Sequence, residues 1–184
     1  MNTNYIQSIK DLINQDWSLS QPEFFITLLW TDYPRQFDTV KGHMSILKNK
    51  LLCHLHNLNK CSDIPDSNHR LGMTVFHEKG LTKPIPTLEE IVSYHTHIHM
   101  FNVDNSLKNI TPDGLRKLIQ RKIGSTVKKL DKTYNNSYKG VDVRVWDRVR
   151  HQNYNFKDYE RYRGHQDEDL TLDYKNSDFI SLLD

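Results

Sequence analysis

Cysteine is almost missing from this chain, and so is any long apolar run. The two cysteines, Cys53 and Cys61, build no disulfide framework, so a reducing, cytoplasmic setting is expected. No stretch of about eighteen apolar residues occurs, which excludes a membrane-spanning helix of the ordinary kind. The opening Met1-Asn2-Thr3-Asn4-Tyr5 lacks a basic start followed by an apolar block, so a secretory signal is not expected. There is no internal repeat and no Gly-Lys-Ser/Thr phosphate loop, so no ATP-driven helicase module is expected. What remains is ordinary for a globular chain: 184 residues, 36% hydrophobic and 26% charged. That length fits a single domain over residues 1–184, with a core over about 24–166 and an acidic, polar tail over 167–184.

Net charge is only +2, yet its distribution is uneven. Between Lys108 and Arg150 twelve basic residues stand against four acids, Asp113, Asp131, Asp142 and Asp147. From Asp158 onward the balance reverses. A basic middle containing aromatic residues suits a polyanion, with nucleic acid the natural one. Solvated helix faces also collect lysines, and composition alone does not separate the two readings.

Hydrophobic periodicity divides the chain into elements. Asn2 to Asp16 reads as a short amphipathic helix, with Ile6, Ile9 and Ile13 on one side. Phe24 to Trp30 reads as a buried strand. Asp38 is a suitable N-cap for a long helix whose core face holds Val40, Met44, Leu47, Leu51, Leu55 and Leu58. Leu71 to Glu78 and roughly Ile91 to Val103 read as two strands that pair antiparallel. Thr111, followed by Pro112, caps a helix with Leu115, Leu118, Ile119 and Ile123 on its apolar side. Val141, Val143 and Val145 alternate with Asp142, Arg144 and Trp146 in a half-exposed strand. Phe156 to Gln166 reads as a short helix carrying Tyr159 and Tyr162. The class expected is therefore α+β: an antiparallel central sheet carrying the histidine strand, with helices packed on it.

Histidine is where the sequence departs from composition. The chain has three His-x-His pairs, His54/His56, His95/His97 and His97/His99. The first lies in a helix, where residues two apart point about 200° apart and cannot share an ion. The other two lie in Tyr94-His95-Thr96-His97-Ile98-His99-Met100-Phe101. In a strand all three histidines face one way, at roughly 6.5–7 Å intervals, and neighbouring imidazoles can converge on one divalent cation. The alternative is a polar face turned to solvent. Either Glu78 or His77, but not both, would share that face.

Taken in order, these parts resemble the HUH endonucleases, most closely the nicking domain of rolling-circle replication initiators (Rep proteins). Phe24 to Trp30 is similar to that family's early apolar strand. His97-Ile98-His99 matches its His-hydrophobic-His strand, and Glu78 stands where an acidic ligand often lies. Tyr162-Arg163-Gly164-His165 resembles its Tyr-x-x-Lys motif, with histidine in place of lysine; Asp158-Tyr159 is a competing match. The resemblance implies an RRM-like, ferredoxin-type sheet and Mn²⁺ or Mg²⁺ held by His97, His99 and Glu78. It implies Tyr162 or Tyr159, or both, as the nucleophile, joined to a 5′ phosphate of single-stranded DNA at an origin or hairpin. His95 and His165 would support the site. Arg144, Arg148, Arg150, Lys157 and Lys122 would hold the DNA backbone. Trp30, Trp146 and Tyr154 are read as core or rim residues able to stack an unpaired base. Host replication proteins are further expected partners, and the cytoplasm the expected location. Single-tyrosine transposases and relaxases share much of this pattern. A non-catalytic DNA-binding module is the rival from another class.

Overall fold

The computed structural model describes residues 3–30, 36–58, 71–81, 92–124, 140–152, 154 and 170–179. Five strands form one antiparallel sheet: β1 (Phe24–Leu29), β2 (Met73–Leu81), β3 (Val92–Met100), β4 (Val141–Val145) and β5 (Leu170–Leu172), in the spatial order β4-β1-β3-β2-β5. Among the described residues, four α-helices accompany it: α1 (Thr3–Leu19), α2 (Phe37–Leu55), α3 (Pro112–Gly124) and the single-turn α4 (Arg148–His151). The α+β class and the antiparallel pairing are as the periodicity implies.

Alternation gives the sheet two different faces. On one face Phe24, Ile26, Leu28, Met73, Val75, Ile98 and Met100 are buried together. This face is covered by α2, through Val40, Met44, Leu47 and Leu51, and by α3, through Leu115, Leu118, Ile119 and Ile123. Thr111 caps α3 as expected, its hydroxyl accepting from the Gly114 amide at 3.1 Å. The start of α2 differs from expectation. Its N-cap is Gln36, which makes no side-chain cap, and Asp38 lies inside the first turn, paired with Lys41 at 2.6 Å. A carboxylate within the first turn still complements the helix dipole.

The opposite face carries Phe25, Thr27, Phe76, Glu78, His95, His97 and His99. Here α1 packs, placing Ile9, Ile13 and Trp17 against Phe76, Phe101, Leu172 and Phe179. The turn before β2 comes close to the segment after β3: Phe101 donates its amide to the Gly72 carbonyl at 2.7 Å, and a Cβ at Gly72 would collide with Val103.

The acidic tail is not simply polar. Leu170–Leu172 adds a fifth strand to the edge of β2, and Asp173, Asn176, Ser177 and Phe179 beyond it are buried. Three residues flanked by acids give too short a pattern to read as a strand. The pairing comes from the open edge that β2 offers.

Leu47 is 1% exposed and its neighbour Ile46 is 44% exposed. Leu47→Ala is expected to destabilise the fold by about 2–5 kcal/mol. Ile46→Ala should change it by no more than about 0.5 kcal/mol. Urea unfolding of the two variants is the comparison.

Candidate metal centre

β2 and β3 pair so that Phe76 faces His97, His77 faces Thr96 and Glu78 faces His95. Because successive side chains alternate, Glu78 and the histidines emerge together while His77 goes to the other face. Glu78 reaches both rings. One of its oxygens, Oε2, accepts from His95 Nε2 at 3.0 Å and from His97 Nε2 at 2.8 Å. Burial alone would raise the Glu78 carboxyl, but the two imidazole hydrogen bonds outweigh it and hold the group well below its ordinary value of 4.5.

Two imidazole nitrogens and one carboxylate oxygen thus lie within 4.8 Å of one another. Ligands of one tetrahedral ion at about 2.1 Å lie about 3.4 Å apart, so the group fits a divalent cation after opening its hydrogen bonds slightly. Thr27 Oγ1 lies 3.2 Å from His97 Nδ1. A hydroxyl can donate or accept. It therefore suits the apo tautomer, with the proton on Nε2, and equally the tautomer that frees Nε2 for an ion. His95 keeps 21% of its side chain exposed, whereas His97 keeps 1%. The group opens to solvent at the His95 end.

The convergent group is Glu78, His95 and His97, rather than Glu78, His97 and His99. His99 is buried, with its ring 4.5 Å from that of Trp17 and 5.1 Å from that of Phe25, and Trp146 Nε1 donates to its Nδ1 at 3.2 Å. Burial first, then the proximity of His97 and His151, keeps His99 neutral far below the usual histidine range. The physical reason is α1: its last turns bring Trp17 over the end of β3 that bears His99. No strand pattern announces that contact. His95, expected only to support the site, is the second histidine of the group that could hold an ion.

Among the described residues, one aromatic residue from outside the sheet reaches the group. Tyr154 lies edge-on to His97, ring centroids 5.1 Å apart, and to Phe25 at 5.3 Å, and it is 36% exposed. His151 stacks on Phe25 at 4.5 Å and accepts from the Asp147 amide at 2.8 Å. Tyr154 sits in a polar, periodicity-free stretch, so sequence gave it no more weight than Trp30 or Trp146. Tyr159, Tyr162, Lys157 and His165 lie outside the described residues.

The expected basic set does not form one patch. Arg144 and Arg150 lie near His151, lowering its proton affinity after burial does, and so belong to the histidine side. Arg144 pairs with Asp142 at 2.7 Å, and Arg148 donates to Gln152 at 3.0 Å. Lys122 belongs to α3 on the other side of the sheet, where it and Arg121 act, after burial, to lower the proton affinity of His54. No family model, characterised protein or solved structure matches the chain. Among the described residues no helix is long and apolar enough to cross a membrane.

His97→Ala should abolish stoichiometric Co²⁺ or Mn²⁺ binding in calorimetry, while His99→Phe should retain it. The second variant also tests proton linkage. A histidine whose folded proton affinity is depressed contributes stability that is lost as pH falls below its unfolded value of 6.5, because only the unfolded chain takes the proton. His99→Phe should therefore flatten the decline in stability below pH 6.5, although leaving the Trp146 N–H without its acceptor costs about 1–3 kcal/mol.

Proposed function

We propose that this chain nicks and rejoins single-stranded DNA in the manner of the HUH endonucleases, using a tyrosine nucleophile beside the Glu78–His95–His97 group. The observation that carries the reading is that group itself, set on the central strand with a phenol against one of its rings. The sheet supports it: β1-α2-β2-β3-α3-β4, in the order 4-1-3-2, is the ferredoxin-type arrangement on which that family is built. The ligand pair is shifted by one repeat, from His97-Ile98-His99 to His95-Thr96-His97.

A divalent cation bound there would neutralise charge on the scissile phosphate, with Mn²⁺ or Mg²⁺ favoured for carboxylate-containing sites that act on phosphates. The remaining roles fall to the chain. A tyrosine oxygen attacks phosphorus as its proton leaves, the bond to the 3′ oxygen breaks, and that oxygen takes up a proton. The phosphate stays joined to the tyrosine, and the free 3′ hydroxyl can prime synthesis or return to reseal the strand. Glu78, ionised beside two imidazoles, would offer a negative ligand once those hydrogen bonds open slightly. Arg144 and Arg150 would meet the phosphate backbone on the same side of the sheet. Tyr162 remains the motif-based candidate nucleophile and Tyr159 its competing match; Tyr154 is the phenol that the described structure sets against His97.

Wild-type protein incubated with a single-stranded oligonucleotide library and Mn²⁺ is expected to yield a covalent adduct on a denaturing gel. The adduct should vanish in His97→Ala and in Tyr162→Phe. Loss in Tyr154→Phe or Tyr159→Phe alone would move the nucleophile to that residue. No adduct with any sequence would leave a non-catalytic single-stranded DNA-binding module.

A further inference from the structure

The three proposed ligands come from two rungs of the β2–β3 ladder, Phe76↔His97 and Glu78↔His95. The rung between them, His77↔Thr96, points to the opposite face of the sheet. Its side chains therefore cannot touch an ion held by the others. Any change in strand separation or twist at that rung must nevertheless move Glu78 relative to His97.

This middle rung is tied by side chains as well as backbone. Trp30 Nε1 can only donate, and it does so to Thr96 Oγ1 at 2.7 Å. With the His77 ring proton on Nε2, facing the Asp173 carboxylate, the neutral ring's Nδ1 accepts from the Thr96 hydroxyl at 2.8 Å. His77 Nε2–H in turn donates to Asp173 Oδ2, at 2.8 Å. Asp173 also accepts from the Asn176 side-chain amide at 2.6 Å. Trp30, Thr96, His77 and Asp173 are all buried. Every donor in this run has one acceptor, and the run ends on a carboxylate.

Asp173 is itself fixed to β2. Its amide donates to the Val75 carbonyl at 2.9 Å, the Val75 amide donates to Ser177 Oγ at 2.9 Å, and the Asp178 amide donates to the Met73 carbonyl at 2.8 Å. Lys48 of α2 pairs with Asp178 at 2.9 Å. The segment after β5 thus clasps β2, the strand that supplies Glu78.

We propose that Asp173, acting through His77 and Thr96, is a positioning residue for the Glu78–His95–His97 group on the other face of the sheet. The proposal rests on the reading of that group as an ion site. Without the Asp173 carboxylate the buried His77 N–H has no acceptor. The ring must turn or admit water, its bond to Thr96 breaks, and the two strands are free to shift at the rung between the ligands. Ion affinity then falls although no ligand has changed.

Calorimetric Co²⁺ titration of the full chain, well below the melting temperature, tests this. Asp173→Ala is expected to weaken binding about 10-fold, at the low end of what supporting residues contribute to metal sites. Leu47→Ala provides the control: it should lower the melting temperature without changing Co²⁺ affinity. Thr96→Val should weaken binding as Asp173→Ala does, and Thr96→Ser, which keeps the hydroxyl, should restore it; this pair carries the test if Asp173→Ala fails to fold. Normal Co²⁺ binding by the wild type with Asp173→Ala and Thr96→Val within about twofold of it, against the larger losses usual for supporting residues, overturns the positioning role alone. A wild type that takes no Co²⁺ overturns the ion site and this role with it.

Discussion

Glu78 is a carboxylate buried at the middle of a sheet, and the rest of the structure is constrained by the need to satisfy it. Burying such a group is strongly unfavourable unless it is hydrogen-bonded or paired. Two imidazoles from the neighbouring strand meet that need, and they do so only in one register. A one-residue slip of β2 against β3 would send Glu78 into the apolar face, opposite Tyr94 or Thr96, and bring Val75 and His77 to the histidine side. The hydrophobic face and the histidine face therefore enforce the same pairing. That agreement is what allows a polar cluster to persist in the interior without loosening the fold.

The histidine face is divided by α1. Over His99 the helix contributes Trp17, and with Trp146 and Phe25 it makes a closed aromatic compartment. Towards His95 that cover ends. His97 sits at the boundary, with Thr27 on one nitrogen, Glu78 on the other and the Tyr154 ring against it. A row of three like residues in the sequence becomes three different environments: one solvent-facing, one at the boundary, one sealed. Ligand chemistry needs nitrogen lone pairs that a cation can reach, and the sealed ring is the one least able to offer them.

The sequence made the alternation legible but not the cover. Period-two reasoning separated Glu78 from His77 and placed the three histidines together, because strand geometry alone decides those facts. Which two of the three converge with Glu78 depends on where Trp17 docks, some eighty residues away in sequence, and no local pattern carries that. The same holds for β5. Leu170, Thr171 and Leu172 are too few to show a period, and their role comes from the free edge of β2. Lys122 groups with Arg144 by charge in the sequence, yet α3 packs on one face of the sheet while Arg144 projects from β4 to the other. The α2 and α3 core positions were legible because helical periodicity over many residues averages out such tertiary effects.

That division of charge bears on how a polyanion would approach. A single strand of DNA meeting the open end of the histidine face would find Arg144 and Arg150 on its own side, and the α3 cations behind the sheet. The front side also holds Asp142 and Asp147, so its net attraction is modest, and binding there would depend on the cation as much as on the arginines. A bound ion adds two positive charges next to a carboxylate already ionised, which converts the Glu78–His95–His97 group from acidic to cationic. On the proposed reading, the ion therefore does more than assist the chemical step: it creates the positive field that draws the phosphate to the phenol. Affinity for single-stranded DNA on this face and ion occupancy would then be linked, each strengthening the other by the same factor.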